Sequence, residues 1–422
     1  MSTTLTTRQG LRYGMMGLPL AFVALPLYVV LPNHYAKTFG VSMAALGGVL
    51  LFARLLDAFF DPLLGRWSDA LYQRGTRALL QRAAAACVLL GTGFYALFFP
   101  WVSDPQALLY WAAGTLLVTY LAYSFLSISH QSWGAMLGGD ESYRSKVVAW
   151  REGLGLAGVI TAAITPVALG LPATTAIFFI AISVGLWLWT QAPTPAAPSE
   201  ADHADGRTSP HSVWRPLGRP DFRALLAVFV VNGIASAIPA TLILFFVQDR
   251  LQAPPAMEPL FLGSYFLCGA LAIPLWLKVV GRIGLAKTWL CGMLLSIAVF
   301  IFASQLGAGD TVQFVLVCAL SGVALGTDLT IPGALLAGLI ARQGDQGQAE
   351  GAYFGWWNFV TKLNLALAAG VALPALAWWG YAPGARDPVA LNALTVAYCL
   401  LPCGLKALAA GLLYTLILRR SP

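Results

Sequence analysis

Phe52-Ala-Arg54-Leu-Leu-Asp57-Ala-Phe-Phe60-Asp61-Pro62-Leu-Leu-Gly65-Arg-Trp-Ser-Asp69 forms the second half of a long apolar segment and the start of the loop expected after it. On a helix Asp57 and Asp61 lie on one face about 6 Å apart, with Arg54 one turn earlier on the same side. Ionisable groups inside an apolar span are costly and mark a proton relay, an ion site or a counter-charge for a substrate. The bland alternative, an Arg54 to Asp57 pair that locks helices together, leaves Asp61 without a role.

The rest of the chain makes that span one of many. Of 422 residues, 58% are hydrophobic and 10% charged, and the mean hydropathy is +0.73, far more apolar surface than one soluble core can hide. At about 20 apolar residues per crossing we count twelve spans, near 11–32, 41–64, 79–101, 107–137, 146–169, 173–192, 221–247, 259–280, 286–306, 311–341, 351–380 and 388–418. The expected fold is all-α and polytopic, twelve transmembrane helices in two six-helix bundles. The first span follows Arg8 and Arg12 but is too long for a signal peptide, so it reads as a retained helix.

Of the 25 Lys and Arg, 18 fall on the side of the N-terminus, 3 on the other (Lys37, Arg250, Arg386) and 4 inside spans (Arg54, Arg151, Lys362, Lys406). This asymmetry places both termini in the cytoplasm of a bacterial-type plasma membrane. The net charge of +7 is dispersed through short loops, which reads as topology rather than as a nucleic-acid patch. All six cysteines sit in apolar runs. Cys399 and Cys403 share a helical face, but no His or carboxylate stands nearby to complete a metal set, so neither disulfides nor a metal are expected.

One long polar, Pro-rich stretch interrupts the spans, from Ala192 to Pro210, and it reads as a mobile cytoplasmic linker. The expected organisation is therefore a bundle over 1–192, a linker over 193–219 and a bundle over 220–422. Gly134-Ala-Met-Leu137 and Gly333-Ala-Leu-Leu336 occupy similar places in the fourth and tenth spans, which aligns Ser129 with Asp328. Two similar halves point to a rocking transporter with its solute near the bilayer midplane.

Several further residues carry chemistry. Tyr123, Ser124, Ser127, Ser129 and His130 give the fourth span a hydroxyl-rich face, read as a wet cavity that includes His130. For Arg151 two readings stand, snorkelling to the cytoplasm or facing the cavity. Lys362, eleven residues past Gly351 on an aromatic span, lies too deep to snorkel and needs an anion. Asp328, four residues before Pro332, is either that partner or structural. Lys406 has no evident partner, and snorkelling is its only reading. Trp356 and Trp357 suit either a sugar face or an acyl chain. An enzyme is not expected. Ala324-Leu-Gly-Thr-Asp328 lacks the second glycine of an intramembrane aspartyl protease, and no His-Glu-x-x-His or Gly-x-Ser-x-Gly occurs.

Arg54-x-x-Asp57-x-x-x-Asp61-Pro62-x-x-Gly65-x-x-x-Asp69 resembles the glycoside–pentoside–hexuronide:cation symporters of the major facilitator superfamily. Tyr13-Gly14, Arg151, Asn232-Gly233 and Glu350-Gly-x-Tyr-Phe-Gly355 leading to Lys362 extend the resemblance over nearly the whole chain. The resemblance implies a cation site at Asp57 and Asp61 with Ser124 as a hydroxyl ligand. It also implies solute contacts from Arg151 and Lys362, to which Tyr123, Ser127, His130, Trp357 and Asp328 are added as cavity candidates. The expected partners are a small organic solute, a monovalent cation (H⁺ or Na⁺) and the lipid bilayer; no cofactor and a monomer are expected.

Two departures bear on the cargo. Phe60 stands where the sugar-transporting relatives carry an Asn, which removes an oxygen suited to Na⁺ and tilts coupling towards H⁺. Acids that those relatives place in the first and fourth helices are missing from Gly17-Leu-Pro-Leu-Ala21 and Ser124-Phe-Leu-Ser127. A glycoside is the family default. A lysophospholipid or other amphiphile is the alternative, because the animal lysophosphatidylcholine symporters resemble this chain in keeping the acids of the second helix and the lysine of the eleventh.

Overall fold

The computed structural model describes residues 5–195 and 212–420; most of the expected linker, 196–211, lies outside the described residues. The described chain is built from long helices, here α1 Thr7–Phe39, α2 Met43–Gln73, α3 Thr76–Phe98, α4 Pro105–Met136, α5 Glu141–Ala168, α6 Gly170–Trp189, α7 Pro220–Arg250, α8 Pro255–Ile283, α9 Leu285–Ala303, α10 Thr311–Arg342, α11 Glu350–Trp378 and α12 Pro388–Leu416. Ten of them are long and apolar enough to cross a membrane by composition alone. The remaining two, α2 and α11, have 31 and 29 residues. They are long enough to span and carry the charged residues singled out above.

Local chemistry sets the ends. Thr6 and Gln9 form a reciprocal capping box at the start of α1. Asp104 and Asp387, each followed by proline at the first helical position, cap α4 and α12. A single wider π-type turn interrupts α1 at Pro26–Val30, closes α7 at Phe246–Arg250 and breaks α12 at Val396–Leu400. The α2 helix differs from expectation. It does not give way to a loop after residue 64 but continues unbroken through Pro62 and Gly65 to Gln73. Pro62 removes one backbone donor, yet the helix persists because its far end is held by the contacts of Asp69 described below.

Contacts divide the chain into two compact units. The first comprises Met1–Pro216 together with Ala337–Phe359, so it includes the last turn and a half of α10 and the start of α11. Within it α1 packs on α5, and α4 packs on α2 and α3. The α1 to α5 seam is close because a Cβ at Gly17 would lie 2.4 Å from the Arg151 carbonyl oxygen, and one at Gly158 2.2 Å from that of Leu18. Phe22, Phe94 and Phe178 fill the core between α1, α3 and α6. The last part of the expected linker is anchored here rather than mobile: Trp356 Nε1 donates to the Val213 carbonyl, and Arg215 pairs with the buried Asp345. The second unit comprises Leu217–Leu336 and Val360–Pro422. In it α12 packs on α7 and α9, and α8 meets α10 where Gly322 faces the Tyr265 carbonyl.

Candidate functional site

Asp57 and Asp61 project from α2 into the interior of the first unit. Asp57 is 3% exposed and Asp61 is fully buried. The α4 helix supplies Ser124, also buried, whose Oγ donates to Asp57 Oδ1 at 2.7 Å. The Arg54 guanidinium lies over the ring of Tyr28, 4.2 Å from its centroid, at the π-type turn of α1. Its charge is thus turned to an aromatic face. Two carboxylates one turn apart, out of water and with a hydroxyl on the first, form a site that gains from a bound cation or a shared proton.

The other predicted residues sort by helix. Tyr123 is half-buried beside Ser124. Ser127 Oγ accepts from Gln131 Nε2 at 2.8 Å, and the same amide reaches Asn358 Oδ1 on α11 at 3.4 Å. Arg151 does not snorkel. Its side chain is 14% exposed and pairs with the adjacent Glu152, Nε donating to Oε1 at 2.9 Å. Trp357 is buried on the part of α11 that belongs to the first unit; Lys362, half-buried, follows on the part that belongs to the second.

His130 departs from the wet-cavity expectation. It is fully buried, its Nε2–H donates to the Tyr13 carbonyl at 2.8 Å, its ring stacks on Tyr13 with centroids 4.4 Å apart, and Trp189 closes the other side. The Tyr13 hydroxyl returns a bond to the His130 carbonyl at 3.0 Å. Aromatic partners from α1 and α6 absorb the imidazole, so it clamps helices together rather than facing a solute.

Asp328 and Lys406 also depart from their sequence readings. In the second unit Lys406, 5% exposed, donates from Nζ to Asp328 Oδ2 at 2.7 Å and to Asn232 Oδ1 at 2.9 Å. Asp328 further accepts from Asn232 Nδ2 (3.1 Å), Trp289 Nε1 (2.9 Å) and Ser236 Oγ (3.2 Å). The lysine that read as snorkelling is the partner of Asp328, and one network ties α7, α9, α10 and α12. Asn232-Gly233 stood out in the sequence, but nothing in it pointed to Trp289 or to this pairing.

At the end of α2, Asp69 accepts from the backbone N–H groups of Gly351 (2.6 Å) and Ala352 (2.9 Å), the exposed donors at the start of α11. Helix approach makes this possible. A Cβ at Gly65 would lie 2.0 Å from the Gly351 carbonyl, and one at Gly355 2.7 Å from that of Asp61. Glu350, buried beside Asp69, accepts from Gly347 N–H at 2.7 Å through Oε1, while its Oε2 has no hydrogen bond. Burial pushes the Glu350 carboxyl up to about 7. Burial and then the neighbouring Glu350 also raise Asp69, against the pull of its two N–H donors.

Residues 12–420 match the sequence profile of a family described as MFS/sugar transport protein. The chain is 28% identical over 175 residues to YagG of Escherichia coli (strain K12), assigned as a glycoside/cation symporter; the match covers 40% of this chain and 36% of YagG. It is 22% identical over 418 residues to YjmB of Bacillus subtilis (strain 168), an uncharacterized symporter, covering 92% of this chain and 88% of that protein. Among solved structures, the fold is similar to that of a bacterial homologue of the iron transporter ferroportin in an outward-facing state (TM-score 0.71, 16% identity, 98% and 99% of the two chains). It is also similar to the E. coli fucose:proton symporter FucP carrying N162A (TM-score 0.67, 15% identity, 94% and 98%).

Proposed function

The chain belongs to the MFS/sugar transport family of membrane transporters, and from that premise we propose that it is a cation-coupled symporter that moves a glycoside or related sugar by alternating access. The observation that carries the reading is the Asp57, Asp61 and Ser124 cluster, two carboxylates sequestered in a spanning helix with a hydroxyl on the first. Left ionised, the pair repels itself and resists closure around dry surroundings; a cation or proton relieves both costs. Occupancy of the cation site then shifts the conformational equilibrium that the solute also uses, which is the thermodynamic content of coupling.

In this reading Arg151 and Lys362 supply positive charge to the solute, and Tyr123, Ser127 and Trp357 line its path. Phe60 in place of an oxygen ligand favours H⁺ over Na⁺. The orientation follows the distribution of Lys and Arg, with both termini cytoplasmic in a bacterial-type inner membrane, and the protein acts as a monomer. A lysophospholipid or similar amphiphile is the second reading. It is favoured by the absence of sugar-gripping acids: Ser124 is engaged by Asp57, and Gly17 abuts the Arg151 carbonyl too closely to admit any side chain.

The test is uptake by proteoliposomes of labelled glycosides beside a fluorescent lysophospholipid, with pH and Na⁺ gradients imposed separately. Glycoside accumulation driven by a pH gradient and abolished in Asp57→Asn is the expected result. Uptake of lysophospholipid alone replaces the first reading with the second, and movement indifferent to both gradients overturns symport.

A further inference from the structure

The interior of the second unit holds a cavity of about 230 Å³ that the transport reading does not use. It lies among α7, α8, α9, α10 and α12, all within one unit and apart from the acids of α2. Most of its wall is apolar, with Phe266, Phe300 and Ala324 prominent. Five hydroxyl-bearing residues nevertheless line it: Ser236 and Ser321 donate to Asp328 and to the Val317 carbonyl, while the hydroxyls of Tyr265, Tyr398 and Ser296 form no hydrogen bond among the described residues. Tyr398 is 3% and Ser296 6% exposed. Three hydroxyls among the lining residues with no protein partner leave donors and acceptors for a guest to satisfy.

Donor accounting fixes the polarity of that guest. The Asp328 carboxylate at the cavity wall already accepts four hydrogen bonds, from Lys406, Ser236, Asn232 and Trp289, which fills its capacity. The Lys406 ammonium has three donors and spends two, on Asp328 and Asn232. What remains on offer is one ammonium N–H and the hydroxyls, beside a charge already neutralised by its partner. A cationic guest meets Lys406 with nothing left on Asp328 to receive it, and a second carboxylate meets a lysine whose charge is already matched. The exposed Ala240 on α7 and Leu262 on α8 stand at the rim, which gives an apolar body a way in.

We infer that this cavity binds an uncharged amphiphile, an apolar body bearing one acceptor oxygen that faces Lys406 and the tyrosine hydroxyls. The simplest representative is a medium-chain alcohol.

The test is photolabelling of the full-length protein in lipid nanodiscs with 3-azioctanol, with adducts mapped by mass spectrometry. The inference expects saturable adducts on the α8 and α12 walls around Tyr265 and Tyr398, displaced by 1-octanol and displaced about tenfold less readily by octylammonium. Ala324→Leu, which fills the cavity, abolishes them. If that variant does not fold, Tyr398→Phe keeps the shape, removes one hydroxyl and raises the half-saturating concentration about fivefold. Adducts confined to outward-facing positions such as Leu267 and Leu271, neither saturable nor changed by either variant, overturn the inference. Equal displacement by octanol and octylammonium overturns its claim of an uncharged guest.

Discussion

Replacing Lys406 by Met tests the buried network of the second unit most directly. In the wild type the ammonium and the Asp328 carboxylate sit 2.7 Å apart, and neither has access to bulk water sufficient to dissipate a lone charge. Removing one member of a buried pair costs about 3–5 kcal/mol, chiefly because the other charge stays behind. The two single variants are not equivalent. Lys406→Met leaves a carboxylate that still accepts from Asn232, Ser236 and Trp289, so its cost falls near the lower figure, about 3 kcal/mol. Asp328→Asn leaves an ammonium whose acceptors are all neutral amide oxygens, so its cost approaches about 5 kcal/mol. The double variant removes both charges and packs a methionine of similar length, and it returns to within about 2 kcal/mol of wild type. Equilibrium unfolding in mixed micelles of a mild detergent and dodecyl sulfate, run on all four proteins, measures the cycle. A single Lys406→Met within 1 kcal/mol of wild type, or a double variant no more stable than Asp328→Asn, refutes the reasoning.

Two further outcomes follow from the junction of α2 with α11. A carboxyl raised from 4.5 to about 7 in the folded protein binds its proton more tightly there than in the unfolded chain. Its contribution is therefore fully present below pH 4.5 and is lost as pH rises to about 7, a fall of about 3 kcal/mol; thermal unfolding between pH 5 and 8 should show this slope in wild type and lose it in Glu350→Gln. Gly65→Ala puts a methyl where the Gly351 carbonyl stands, which forces the helices apart and costs about 1–3 kcal/mol. Hydrogen exchange of the Gly351 and Ala352 amides should accelerate in that variant, and unchanged protection would show that the helices do not meet there.

The sequence was most readable where one helix carries the whole signal. The acids of α2 announce themselves by spacing, and the lengths of the apolar runs convert directly to helices. Legibility failed where the deciding partner lies far along the chain. Lys406 read as isolated because its anion is 78 positions away, and any intramembrane acid could have served. His130 read as cavity-facing because its neighbours on α4 are hydroxyls, but the groups that enclose it come from α1 and α6. The stretch after residue 64 read as the start of a loop because the apolar run ends there, in Gly65-Arg-Trp-Ser-Asp69. Here Pro62 costs a single bond, and Gly65 is what admits a second main chain.

The glycine seam between α1 and α5 carries a consequence for how such a protein can diversify. Gly14, Gly17 and Gly158 let the two helices touch through their main chains, so the position of Arg151 is fixed by backbone geometry that no side-chain exchange elsewhere on α5 can easily disturb. Substitutions on the rest of that helix can then reshape a solute path while the charge at 151 stays in register. A library that seeks altered cargo should spare these three glycines and randomise the faces they leave free.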